Sequence, residues 1–215
     1  MMKVGILGTG DVGHALGKAF IALGHEVKMG ARNDGNEKAA AWAKAAGAKA
    51  SAGTFAAAAR FGEIVVLATL GMANAGVIET AGPANFAGKI VIDATNPLDF
   101  SKGFPPTLGI SGADSGGEQV QRLLPAAHVV KAFNTVGNAL MFKPAFPGGP
   151  PDMFICGADA GAKKVVTEIL KTFGWGVIDL GGIESSRYLE AMCAVWVLHG
   201  AATGSWNHAF KMLHK

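Results

Sequence analysis

The sequence predicts an α/β fold, a doubly wound and mainly parallel sheet extended by a small C-terminal α/β part. Short β-rich apolar runs of about five residues alternate with Ala-rich stretches of about ten, the signature of βαβ units covered on both faces. The first run ends in a glycine-punctuated turn, and the 215 residues are half hydrophobic, with 31 glycines and only 16% charged residues. Residues 3–7 read as a strand and 12–23 as the helix that follows. The pairs 27–29 with 37–46 and 64–68 with 73–81 repeat that pattern, and 89–93 adds another strand. The Ala-rich stretch 39–59 reads as tightly packed helices broken at Gly47 and Gly53.

Beyond Asp93 the pattern loosens. Residues 100–117 carry Pro105, Pro106 and five glycines, and residues 143–151 carry four of the nine prolines. Loops of this length in a compact domain are usually functional or mobile. A helix near 117–124 and a strand at 129–133 lie between them. A strand at 153–156, a helix at 160–173, a strand at 177–180 and a long helix at 185–200 follow, extending the sheet. One domain is expected over 1–215, with the dinucleotide-binding part in 1–100 and acceptor-side loops, sheet extension and terminal helix in 101–215.

Composition excludes several classes. The net charge of +3 comes with no basic stripe, so no nucleic-acid partner is expected. Cys156 and Cys193 are too few for a disulfide framework or a metal pattern and fit a reducing compartment. The uncharged run 191–210 is spoiled as a bilayer span by His199, Gly200, Thr203, Gly204, Ser205, Asn207 and His208, and no secretory signal is visible, so a cytoplasmic protein without a membrane partner is expected. The histidines His25, His128, His199, His208 and His214 lack metal-ligand spacing, and no metal is assigned. His14 lies on the first helix, close enough to the glycine turn to touch a cofactor.

Gly8-Thr9-Gly10-Asp11-Val12-Gly13 fits G-x-G-x-x-G directly after a strand and opening a helix. Gly8 permits the tight turn, Gly10 lets the backbone approach a pyrophosphate, and Gly13 lets the helix lie close to the strand. The N–H groups of Asp11 and Val12 would face phosphate oxygens. Thirty-one glycines make a chance match easy, and it is the strand–turn–helix context that gives this one its Rossmann-type reading. At the end of the second strand, Val27-Lys28-Met29-Gly30-Ala31-Arg32-Asn33 has no carboxylate to accept bonds from a ribose, while Arg32 is placed to pair with a 2′-phosphate, which favours NADP(H) over NAD(H). Thr69 and Leu70, then Asn96 and Pro97, end later strands where open sheets bind ligands, and are expected to line the ribose and nicotinamide side. Asn134 or Thr135 would come within reach of the nicotinamide carboxamide, unless Asn134 only closes a turn. Asp93 reads as a cap or turn residue, Arg187 and Glu190 as a local ion pair, and Trp196 and Trp206 as core or interface.

Beyond these motifs, the chain resembles the NADP-dependent oxidoreductases related to the NADPH reductase of the deazaflavin coenzyme F-420 (F420), whose Rossmann domain is also similar to the cytosolic domain of the STEAP metalloreductases. The resemblance rests on residues 8–13, Gly30-Ala31-Arg32-Asn33, Asp93-Ala94-Thr95-Asn96-Pro97-Leu98, Val130-Lys131-Ala132-Phe133-Asn134-Thr135 and the stretch 173–181. It implies that the glycine loop, Ala31, Arg32, Asn33, Thr69, Asn96 and Ala132 form the NADP site. It also implies hydride exchange with a planar redox acceptor, a deazaflavin or a flavin. Where the deazaflavin reductases carry a His, this chain has Asn134, and it has the Pro/Gly loop 143–151 in place of their acceptor-shaping helical segment.

Hydride transfer between nicotinamide and a planar ring asks the protein for apposition and exclusion of water, not for a nucleophile. No catalytic acid is therefore assigned, and the lone Tyr188 has Met192, not Lys, four residues on. The acceptor is expected over the nicotinamide, bounded by Leu70, Pro97, Asn134 and the two Pro/Gly loops. A non-enzymatic NADP(H)-sensing protein would share the cofactor residues but lack open space there. The apolar run 192–198 with Trp196, and the tail after it, predict a homodimer.

Overall fold

The computed structural model describes residues 1–213 and Lys215; His214 lies outside the described residues. Eight strands form one sheet in the order β10-β9-β8-β5-β4-β1-β2-β3, and two more, β6 (Leu98–Asp99) and β7 (Thr107–Leu108), form a separate antiparallel pair. The first half alternates β1 (Lys3–Leu7), α1 (Asp11–Ala22), β2 (Glu26–Ala31), α2 (Glu37–Ala46), β3 (Ala50–Thr54), α3 (Phe55–Phe61), β4 (Ile64–Leu67), α4 (Asn74–Ala81) and β5 (Ile90–Asp93). After β6 and β7 come α5 (Gly116–Leu123), β8 (His128–Lys131), β9 (Asp152–Gly157), α6 (Ala160–Thr172), β10 (Gly176–Asp179) and α7 (Ser186–Thr203).

β3-β2-β1-β4-β5-β8 run parallel, whereas β9 pairs antiparallel with β8, placing Cys156 opposite Lys131, and β10 is parallel to β9. The sheet is therefore mainly parallel and doubly wound, as expected, with its last two strands reversed. Strand order turns back between β1 and β4, and in open α/β sheets ligands bind at that switch point.

The stretch 39–59 corrects the reading of packed helices, because α2 ends at Ala46 and residues 50–54 form edge strand β3. Ala50-Ser51-Ala52-Gly53-Thr54 is half-buried throughout and holds one β-branched residue, so pairing with β2 rather than side-chain propensity makes it a strand. The alanines of α3 have a packing reason. A Cβ on Gly5 of β1 would stand 2.1 Å from the Ala58 carbonyl oxygen, so only small residues let this helix lie on the sheet.

The sheet divides the apolar interior in two. One layer packs Leu16, Phe20, Trp42, Val166 and Phe173 of α1, α2 and the α6 region against one face, and the other packs Ala58, Ala59, Val77, Ile78 and Val120 of α3, α4 and α5. No helix among the described residues is long and apolar enough to cross a membrane.

Candidate cofactor cleft

A cleft of about 730 Å³ opens at the carboxyl ends of β1 and β4. Its walls are Gly8, Thr9, Gly10, Asp11 and Val12 of the glycine loop, Ala31, Arg32 and Asn33 after β2, and Thr69 and Leu70 after β4. Ten residues singled out from sequence thus meet around one space. Asn36, Phe55, Ala68, Ala73, Val77 and Asn138 complete the lining. No sequence motif marked these six, although Asn36 precedes a helix start, where its side chain accepts from Ala39 N–H at 3.0 Å.

Each glycine of the loop has a separate cause. Gly8 has φ +131°, and a Cβ there would meet the Ala68 carbonyl oxygen at 2.3 Å; one on Gly13 would meet the Gly8 oxygen at 2.3 Å. Gly13 therefore serves helix–strand packing beneath the loop. A Cβ on Gly10 meets nothing within 4 Å and would project into open space. Gly10 also caps α1 without a side chain, leaving first-turn N–H groups free for an anion. This backbone cradle fits a dinucleotide pyrophosphate. At the cleft's other end Arg32 is exposed, and it enters no ion pair among the described residues.

Asn96, Pro97, Ala132 and Asn134 are not among the residues that line the cleft. Asn134 is buried, its amide nitrogen donating to Asn96 Oδ1 at 3.0 Å and to the Leu189 carbonyl at 2.9 Å. Asn96 returns a bond to the Asn134 carbonyl at 2.8 Å, and Asn134 Oδ1 has no protein partner. Just before it, buried Phe133 takes φ +65°, a strained conformation for a bulky residue that turns the chain out of β8.

Other sequence expectations resolve differently. Arg187 and Glu190 do not pair. Arg187 grips Glu118 of α5, which holds that carboxyl below its ordinary pKa, while Glu190 turns inward to Lys131 at 2.8 Å. Asp93 does close a turn, accepting from Thr95 N–H at 3.0 Å, but it also binds Lys131 Nζ at 2.8 Å with both side chains fully buried. Burial alone would lower the Lys131 pKa; Asp93 and Glu190 outweigh it and raise it. His14 stacks on Trp42 and lines a neighbouring hollow with Lys18 rather than the cleft. The loop 143–151 is tied toward β10, through Lys143 N–H to the Phe173 carbonyl and Gly176 N–H to the Pro151 carbonyl, and none of its residues lines the cleft. Cys156 and Cys193 are buried thiols, pushed by burial up to about 11 and about 12.

Fold and cleft together define a dinucleotide-binding domain. Residues 3–97 match the family model described as NADP oxidoreductase, coenzyme F420-dependent. The F420-dependent NADP reductase of Methanocaldococcus jannaschii is 32% identical over 203 residues, covering 89% of each chain. The rat (Rattus norvegicus) metalloreductase STEAP3 is 29% identical over 88% of this chain but only 36% of its own, so the chain spans about a third of that relative's length. A crystal structure from Arthrobacter sp. FB24, provisionally assigned as an F420-dependent NADP reductase, superposes with a TM-score of 0.94 at 40% identity over the whole of both chains. The chain belongs to this family of NADP oxidoreductases.

The loop's asymmetry is testable. Gly10→Val should keep a melting temperature within a few degrees of the parent, since the side chain enters open space and costs at most about 1 kcal/mol as a poorer cap. It should lose at least about tenfold in dinucleotide affinity by occupying the cradle. Gly13→Ala, by contrast, should lower the melting temperature. Calorimetric titration beside thermal melts checks both, and unimpaired binding by Gly10→Val would contradict the assignment of the cradle.

Proposed function

We propose that the protein transfers a hydride between NADP(H) and a planar redox acceptor of the deazaflavin or flavin type. The observation that carries this reading is the apolar rim beside the cleft. Leu70 is 75% exposed, Met72 53% and Phe104 60%; single exposed apolar side chains are ordinary, and it is their grouping around one loop that is informative. Leu70 belongs to the cleft wall, Met72 packs at Gly109 of the Pro/Gly loop, and Phe104 of the same loop meets Trp206 edge-on at 6.5 Å. Such a rim suits a flat, largely apolar ring and has no use in a protein that only senses the dinucleotide.

When bound, the nicotinamide supplies the hydride. The chain's residues hold and orient. The α1 N-terminus and Gly10 take the pyrophosphate, Arg32 takes the 2′-phosphate, and Thr69 and Leu70 border the ribose and nicotinamide half. Asn96 and Asn134 hold the loops after β5 and β8 to each other. The rim excludes water from the ring faces, and no protein acid or nucleophile is needed.

We also propose a homodimer formed through α7. Three of the seven residues in 192–198, Cys193, Trp196 and Val197, are buried, and the exposed large apolar side chains of α7 are Tyr188, Val195 and Leu198. Light scattering at micromolar concentration should give twice the chain mass; a monomer would remove this part of the reading.

Arg32→Ala should abolish most of the preference for NADPH over NADH, a loss of about 1.5–3 kcal/mol for a charge-assisted, bidentate contact. Equal affinities for the two cofactors in the parent would overturn the NADP assignment. For the reaction, NADPH absorbance should fall stereospecifically on addition of F420 or a flavin. Inertness toward F420, FMN, FAD, ferric chelates, quinones and imines, with NADPH bound normally, would replace the reductase reading with a sensor.

A further inference from the structure

One wall of the cleft is connected to the buried charges by an unbroken chain of hydrogen bonds. Lys131 Nζ has three N–H groups and spends all three, on Asp93 Oδ2, the Thr95 carbonyl and Glu190 Oε1, each at 2.8 Å. The other Asp93 oxygen lies 2.6 Å from Thr95 Oγ1. A carboxylate paired to an ammonium only accepts, so the single hydroxyl proton of Thr95 must point at Asp93. Thr95 Oγ1 then has only lone pairs to offer Asn74, which meets it through Nδ2 at 2.8 Å. That fixes the Asn74 amide, because the flipped orientation would set two acceptors against each other. Asn74 Oδ1 consequently faces Thr69, whose hydroxyl donates to it at 3.1 Å. Thr95 and Asn74 are both at least nine-tenths buried, whereas Thr69 reaches the cleft.

We propose that Lys131, Asp93, Thr95 and Asn74 are positioning residues that make the Thr69 hydroxyl an obligate acceptor toward the bound dinucleotide. With its proton committed inward, Thr69 presents only lone pairs to the cleft. It therefore repels phosphate oxygens, which also only accept, and takes a hydrogen-bond donor, a hydroxyl of the nicotinamide ribose or the carboxamide N–H₂. The glycine loop beside it offers donors, the first-turn N–H groups of α1. The helix start and Thr69 thus favour opposite kinds of group and set the ligand's register, phosphates against the first-turn N–H groups and a donor against Thr69. The inference rests on the dinucleotide reading of the cleft and adds the direction of each proton.

NADPH binding by calorimetric titration tests it without turnover. Thr69→Val should weaken binding about three- to tenfold, the size of one lost neutral hydrogen bond, and Thr69→Ser should restore it to within about twofold. Asn74→Leu and Thr95→Val do not line the cleft, yet each should give a comparable loss, and Thr95→Ser should not. Combined with Thr69→Val, neither should add to the loss, since all act through one hydroxyl. Adenosine 2′,5′-bisphosphate, which lacks the nicotinamide half, should bind every folded variant equally. If one of the two interior variants melts before titration, the other carries the double-mutant cycle. A Thr69→Val penalty that persists with the 3-acetylpyridine analogue of NADP identifies the donor as a ribose hydroxyl, and one that vanishes identifies the carboxamide. Additive losses, an unaffected Thr69→Val, or equal weakening of the bisphosphate would overturn the relay while leaving the dinucleotide site standing. A parent protein that does not bind NADPH would overturn both.

Discussion

A single buried ammonium holds the functional edge of this molecule together. Lys131 sits at the end of β8 with no solvent exposure, between Asp93 at the end of β5 and Glu190 near the start of α7. Glu190 spends its remaining capacity on the N–H groups of Gly116 and Gly117, each at 3.0 Å, so the cluster also fastens the start of α5. Four elements distant in sequence are thereby fixed to one point at the carboxyl ends of β5 and β8, next to the strand ends that carry the cleft. Removing one partner of such a cluster leaves a bare charge in the interior, at a cost of about 3–5 kcal/mol. The glycines at α5 belong to the same constraint: a Cβ on Gly117 would lie 2.3 Å from Ser186 Oγ, so only glycine lets α5 approach α7 closely enough for Glu190 to reach its backbone.

Much of this architecture was legible in the sequence, because hydrophobic period and turn chemistry are local. The glycine motif, the helix over residues 37–46 and seven of the ten strands follow from spacing; the two-residue pair β6 and β7 falls where only loop was expected. β3 was hidden because an Ala/Ser/Gly segment at a sheet edge lacks the residues that mark strands, and its alanines continue the pattern of α2. The reversal of β9 was hidden for a different reason, since period carries no information about strand direction. Within the site, the residues on loops after strands were legible and the cluster behind them was not. Asp93 and Lys131 are 38 residues apart, and Glu190 lies 74 from Gly116, so no local pattern joins them. A signal was present nonetheless: three charges, each embedded in an apolar run, are more economically explained as mutual partners than as separate surface residues. The reading of Arg187 with Glu190 failed because it weighed helical spacing above burial, and Glu190 is 1% exposed.

The way helix starts are closed has a consequence for the cell's other anions. The Asn36, Thr54, Ser115 and Asp159 side chains plug the first turns of α2, α3, α5 and α6, and Glu190 plugs α5 a second time. The starts of α4 and α7 run on from 3-10 turns, Gly71–Ala73 and Ile183–Ser185, whose own geometry continues into the helix. Among the described residues this leaves α1 as the helix that begins abruptly and without a side-chain lid. Among the helix starts, the one left open to a free anion is thus the one inside the cleft, so an anion drawn to it meets the dinucleotide's own berth.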